Sequence, residues 1–275
     1  MANSVYFTPY GGAEATLYIA GTTTDKFFLG EVGWGMPEDV IIVDEVPDAE
    51  ADIDRGVVIK PRLYAVSFRL NAASASALET LRDTWLGNHD PLAGIGVLKR
   101  ITSGGKTRYL DCRPRATVFT PLSRLADGYC QVLTQTYFAA TPWWRSAAQT
   151  ASGNFNGVTP VNISCANGGD RPSWPVITIT GVVETPKIQN AAGDYVQIAA
   201  TTANADDTLV INHRPGSVGV TYYEHGAGAG VNWYGYRSSA SEFWKLPVGT
   251  ANVTISAASG TCACALSWYL YYRSL

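Results

Sequence analysis

The amino-acid sequence predicts a mainly β protein of two domains: a β-sandwich or sheet with one packed helix over residues 1–145, and an all-β sandwich of jelly-roll type over 146–275. Three observations predict it. Most patterned segments alternate apolar and polar residues with period two, one segment alone has a helical period, and beyond about residue 145 the chain reads as short strands and turns. A length of 275 residues accommodates one large β domain or two ordinary ones, so the change of composition decides for two.

The first strand candidates are ATLYIA (15–20), KFFL (26–29) and VIIV (40–43), separated by Gly, Thr and Pro. From Arg62 the period is two, with Tyr64, Val66, Phe68 and Leu70 on one face and Ala65, Ser67 and Arg69 on the other, which makes a half-buried strand. The helix follows over about 74–87, with Ser76 and Glu79 as a capping box and Leu78, Leu81 and Trp85 sharing a face. Asn88 to Pro91 ends it. GIGVLKRIT and TRYLDCRPR form two strands joined by SGGK, followed by ATVFT as a further strand and by the long alternating run CQVLTQTYFAA from Cys130.

TPWWRSAAQTASGNFNGVTPVN is rich in small, turn-forming residues, so the first domain ends at Trp143 to Ser146. NGGDRPSWPVITITG, Asn167 to Gly181, reads as the entrance to the second domain: two glycines allow a tight turn, Pro172 and Pro175 deny a helix, and Trp174 is the apolar anchor. Eight or so strands follow, from PVITITG through SEFWKLPVG to TANVTISAAS and TCACALSWYLYY. In the last two, Ala251, Val253 and Ile255, then Cys262, Cys264, Leu266 and Trp268, share one face.

A hydrophobic share of 46% against 16% charged residues gives the chain a real core and excludes disorder as its global state. The absence of an apolar run of about 18 residues and of a signal-like start predicts a soluble chain with no membrane insertion and no cleaved export signal. Five cysteines without regular spacing read as reduced, buried thiols. The net charge of −3 conceals a division: residues 1–54 carry eleven acidic and one basic side chain, residues 55–145 five acidic and thirteen basic. Two readings of this stand side by side. The acidic arm over 38–54 (Glu38, Asp39, Asp44, Glu45, Asp48, Glu50, Asp52, Asp54) is a solvated loop, or it lies against the basic middle of its own or a neighbouring copy. An overall pI of 5.6 disfavours a basic nucleic-acid-binding protein.

Sites of chemistry are sparse. SGGKT (103–107) resembles the end of a phosphate loop, but it lies between strands and reads as a hairpin turn. The carboxylates of DAEADIDRG are out of register for an EF-hand. His89, His213 and His225 share no metal-ligand spacing, and the local signatures of serine hydrolases and zinc proteases are missing. No catalytic, metal or cofactor residue is assigned. A glycosidase pair drawn from Asp170, Glu184, Asp194, Asp206, Asp207, Glu224 and Glu242 is the remote enzymatic alternative. One stretch suggests recognition: Tyr222, Tyr223, Trp233, Tyr234 and Tyr236 flank a glycine segment, and such aromatics suit a sugar or a protein partner. The preferred account is plainer, that they fill the sandwich core.

Taken in order, RLYAVSFRLNA, SALETLRDTWLGN, GIGVLKRI with TRYLDCRPR, TYFAATPWWRSA, NGGDRPSWPVITITG, DDTLVINH, SEFWKLPVGTANVTISA and ALSWYLYYRSL resemble siphophage distal tail proteins over roughly 57–275. The resemblance implies a structural, non-enzymatic virion protein at the distal end of the tail, assembled in the host cytoplasm. It implies a homohexameric ring between the tail tube protein and the tail-tip hub protein, with DNA passing through the lumen without specific binding. It also implies a galectin-like second domain that holds side fibres or a receptor-binding protein. A carbohydrate-binding protein that adheres to a host-surface glycan is the alternative, and the two can coexist.

Overall fold

Alternation of apolar and polar residues gives a strand one face to bury, and the chain builds two separate cores on that pattern. The computed structural model describes residues 4–19, 25–32, 39–44, 53–125, 128–226 and 229–274. These divide into two compact units, Met1–Arg145 with Tyr272–Leu275, and Ser146–Tyr271.

The first unit contains β1 (Ser4–Thr8), β2 (Ala15–Ile19), β3 (Lys26–Val32), β4 (Asp39–Asp44), β5 (Ile53–Ile59), β6 (Arg62–Ala72), α1 (Ala75–Asn88), β7 (Gly96–Ile101), β8 (Thr107–Phe119), β9 (Ser123–Leu125) and β10 (Gly128–Ala139). All pairings are antiparallel. One path runs β3-β6-β10-β8, and β8 continues through β7 and β1 to β2. TRYLDCRPR and ATVFT are therefore one strand, not two: β8 pairs with β7 over Thr107–Cys112 and with β10 from Arg113 to Phe119, and a bulge opposite Thr136/Tyr137 lets one strand serve both partners. SGGK is the hairpin turn expected, closed by Gly105 N–H to Thr102 O at 2.9 Å. β6 and β10 pair without a slip from Arg62↔Ala139 to Ala72↔Tyr129, so Tyr64, Val66, Phe68 and Leu70 all reach the core. Each apolar side chain buried this way contributes about 1.5–3 kcal/mol.

The helix packs on β6 and β10 through Leu78 and Trp85, with Leu81 partly buried beside them. Its cap differs from the one expected. Ser74, not Ser76, accepts the Ala77 N–H at 3.2 Å, which places Ser76 inside the first turn and leaves Glu79 without a capping-box role.

The second unit contains β11 (Trp144–Asn156), β12 (Val161–Asn167), β13 (Val176–Glu184), β14 (Lys187–Gln189), β15 (Tyr195–Gln197), β16 (Thr201–Thr202), β17 (Thr208–Asn212), β18 (Gly219–Tyr223), β19 (Val231–Asn232), β20 (Gly249–Ser256) and β21 (Ser259–Tyr272). One sheet runs β19-β18-β17-β13-β21-β11, with β16 on the end of β13; the other runs β12-β20-β14-β15. Residues from both sheets, including Ile179, Leu209 and Leu266 from the first and Ile163, Val253 and Ile255 from the second, share one core, so the unit is an antiparallel sandwich.

The structure departs from the sequence-based expectation at three places. The small-residue stretch after Trp143 forms two strands, β11 and β12, because pairing with β21 and with β20 overrides its weak local preference. Asn167–Gly181 consequently lies inside the second unit, after its second strand, and is not its entrance. Its buried anchors are Ser173 and Pro175, while Trp174 between them points the other way and stays partly exposed. Lastly, SEFWKLPVG forms no regular strand: a single bridge, Ser173↔Leu246, ties it to the sheet. All five cysteines are buried free thiols, with Cys262 and Cys264 on one face and their sulfurs 3.7 Å apart.

Candidate recognition surface

The aromatic stretch divides into two groups. Tyr222 on β18 stacks on Trp233 with centroids 4.1 Å apart and planes 14° from parallel, and both pack against the edge of the core. Tyr223 is also half-buried. The remaining pair, Tyr234 and Tyr236, sits in a 3-10 turn and is 41% and 53% exposed, which leaves these two as the outward-facing members. Tyr236 touches Trp233 at 5.4 Å, and Tyr234 stacks on Phe243 at 6.0 Å beneath the Arg237 guanidinium. Core filling thus accounts for Tyr222 and Trp233 only.

Asp206, Asp207 and His225 gather at the neighbouring turn, their ligand atoms within 4.8 Å of one another. The donor set does not suit a metal. Asp207 is buried, and its oxygens accept from the backbone N–H of Ala203, Asn204 and His225 and from the Asn204 amide. Burial pushes this carboxyl up, but those N–H donors and the Tyr222 hydroxyl outweigh it and hold it well below the usual carboxylate range. Burial, and then the same contact, push the Tyr222 hydroxyl up to about 12. Asp207 therefore works as a turn cap, and a carboxyl held that low is unsuited to be a glycosidase acid. Elsewhere Glu184 accepts from Ser259 at 2.8 Å and Asp194 from Asn190 at 2.9 Å, which are turn-closing roles.

Of the acidic arm, Glu38, Glu45, Asp48, Glu50 and Asp52 lie outside the described residues. Asp39, Asp44 and Asp54 belong to the hairpin β4–β5, in register Asp39↔Ile59, Val43↔Asp54 and Asp44↔Ile53. The basic excess of 55–145 is largely engaged within its own unit. Arg100 forks onto Glu31, Arg145 forks onto Asp111 at 2.7 and 2.8 Å, Arg62 donates to Pro142 O and Arg273 O, and Arg108 lies 3.6 Å from the Tyr272 ring centre. Arg113 and Arg115 on β8 remain exposed.

Sequence reasoning missed a cleft of about 380 Å³ in the second unit, bounded by Trp174, the β14–β15 turn and the segment from Glu242 to Pro247. Its residues are separated in sequence and joined by irregular backbone, so no period marks them. The available signal was Trp174 between two residues that the strand pattern turns inward.

Residues 168–272 match the family model described as the siphovirus-type tail component, C-terminal domain. No curated protein sequence matches the chain. Among solved structures, the crystal structure of the SPP1 Dit (gp 19.1) protein, described as a paradigm of the hub adsorption apparatus in phages infecting Gram-positive hosts, superposes with a TM-score of 0.70. The alignment has 10% identity and covers 97% of this chain and 98% of that one. The phage p2 baseplate in its activated conformation with Ca gives a TM-score of 0.59 at 8% identity over 97% and 98% of the two chains. The same baseplate with Sr gives 0.59 at 8% identity over 96% and 97%. At these identities the likeness establishes a shared fold along nearly the whole chain.

Proposed function

We propose that this chain, whose residues 168–272 match a siphovirus-type tail component domain, is a structural, non-enzymatic distal tail protein of a siphophage. Its first unit joins copies into a ring, hexameric by analogy, between the tail tube and the baseplate hub, and DNA passes through the lumen without specific binding. The second unit, a galectin-like sandwich in this reading, presents its surface to side fibres or a receptor-binding protein. The particle assembles in the host cytoplasm. The observation that carries the reading is the agreement of fold with SPP1 Dit over 97% of the chain, both units included.

Physical features of the first unit support it. A ring needs head-to-tail contacts between unlike faces. Among the described residues β3 pairs on one side only, with β6, and β4–β5 forms a separate two-stranded hairpin whose sequence is acidic and apolar. We place the arm of residues 38–54 against the exposed basic side chains of an adjacent copy; a lining of the lumen, where negative charge repels DNA, is the competing placement. Mass photometry of the purified chain, alone and with tail tube protein as template, tests the ring. Hexamers in either sample support it; monomers in both overturn it.

A further inference from the structure

The geometry points to the cleft beside Trp174 as a carbohydrate-binding site that takes a neutral hexopyranose unit of a surface glycan. The inference does not depend on ring formation, since every residue of the cleft belongs to the second unit.

The floor is aromatic and held from behind. Ser173 exchanges two backbone hydrogen bonds with Leu246, Ser173 N–H to Leu246 O at 2.9 Å and the return bond at 2.7 Å, and its hydroxyl donates to Tyr269 O at 2.5 Å. This fixes Trp174 against the segment that carries Phe243, Trp244 and Lys245. Trp244 is 3% exposed, its backbone N–H donates to Nδ1 of His213 at 3.1 Å, and its indole N–H has no hydrogen-bond partner.

The walls are carboxylates. Asp194 stands on a turn clamped by Asn190, whose side-chain oxygen accepts the N–H of both Ala192 and Asp194 at 2.9 Å. Glu242 stands opposite in sequence, anchored by its N–H to Tyr195 O at 2.8 Å. Both carboxylates are exposed at the rim. Rings that accept the C–H face of a pyranose, beside carboxylates that accept its hydroxyls, form a donor–acceptor set that suits a neutral sugar. A cationic peptide is the other chemistry that aromatic rings and carboxylates attract. Here the Lys245 ammonium, 4.6 Å from the Trp174 ring centre, repels a second cation. The volume of about 380 Å³ falls at the small end of ligand sites, which suits a single sugar ring.

The test is saturation-transfer NMR on the full chain with free glucose, galactose, N-acetylglucosamine and rhamnose, beside an array of bacterial wall polysaccharide fragments. Transfer to ring C–H protons of at least one sugar is expected. Trp174→Ala and Glu242→Gln should each weaken binding about tenfold, while Tyr236→Ala, outside the cleft, leaves it unchanged. Unchanged thermal unfolding of the variants separates lost binding from lost fold. No transfer to any sugar and no array signal overturns the site. So does sugar binding that both variants leave intact, or binding of oligolysine in place of sugar.

Discussion

Nη2 of Arg100 lies 2.9 Å from Oε1 of Glu31, and Nε lies 3.0 Å from Oε2, a two-point fork between β7 and β3 inside the first unit. The Tyr64 hydroxyl donates to the same carboxylate, and Arg100 Nη1 donates to Ile101 O at 2.8 Å. The side chains are 5% and 14% exposed, so each charge depends on the other for solvation. Glu31→Ala strands the guanidinium and is expected to cost about 3–5 kcal/mol, whereas Tyr64→Phe removes one hydrogen bond and costs about 1 kcal/mol. Paired replacement, Glu31→Leu with Arg100→Met, should recover most of the loss. Urea denaturation measures all three; a Glu31→Ala variant within 1 kcal/mol of the parent, by the scale of an exposed pair, would falsify the account.

Each unit holds one buried neutral histidine. His89 stacks between Phe7 and Trp85 and hydrogen-bonds Tyr137, and burial pushes its pKa from 6.5 down to about 4. His213 accepts the Trp244 N–H and is likewise pushed by burial to about 4. Above pH 6.5 both are neutral whether folded or unfolded. Between 6.5 and 4 the unfolded chain takes up protons that the folded chain refuses, so stability falls as pH falls, by up to about 3 kcal/mol per histidine. Calorimetry from pH 7.5 to 4.5 should show this decline, and His89→Asn should flatten it for the first unit alone. An unchanged slope in that variant assigns the decline to other groups.

How much of this was readable beforehand depends on how far apart the deciding residues stand. The face Tyr64–Val66–Phe68–Leu70 and the face Cys262–Cys264–Leu266–Trp268 were legible because alternation is local and one face of each sheet is buried. The helix was legible by its period, while its cap slipped by two residues because Ser74 and Ser76 are equivalent in composition and only the backbone turn distinguishes them. β11 and β12 were not legible, since Ala, Ser, Gly and Thr acquire strand geometry from their partners β21 and β20. β5 was missed as well, its acidic start masking the pairing with β4. The cleft was out of reach, because Trp174, Asp194 and Glu242 meet only through the irregular segment that Ser173 pins at Leu246.

Gly181 is fixed by its neighbours across the sheet. Its φ is +128°, and an added Cβ would stand 2.6 Å from Thr261 O and 2.9 Å from Cys262 Cα. Across the same ladder Gly260 has φ +129°, and its Cβ would stand 2.3 Å from Val182 O. Gly181→Ala is expected to cost about 1–3 kcal/mol from backbone strain, with the steric overlap added to it. Gly157 has φ +81° with nothing within 4 Å, so Gly157→Ala carries strain without overlap and should lose less. Equal losses for the two would show that crowding at the β13–β21 ladder contributes nothing.

The placement of the acidic arm against a neighbouring copy can be tested through the part of it that the fold holds in register. Among the described residues β4 and β5 pair only with each other, so substitution of Asp39, Asp44 and Asp54 leaves every other ladder intact. Exposed opposite charges contribute about 0.2–1 kcal/mol each, and a ring repeats the contact at every junction. The triple reversal to Lys should therefore weaken association on the order of tenfold at low salt, and less above about 150 mM, where screening acts within roughly 8 Å. Arg113→Glu with Arg115→Glu, the exposed cations of β8, should restore assembly when combined with the reversal if these cations receive the arm. Mass photometry at two salt concentrations reads the outcome. Intact rings in the triple variant, with no salt dependence, remove the arm from the interface and leave the lumen as its place.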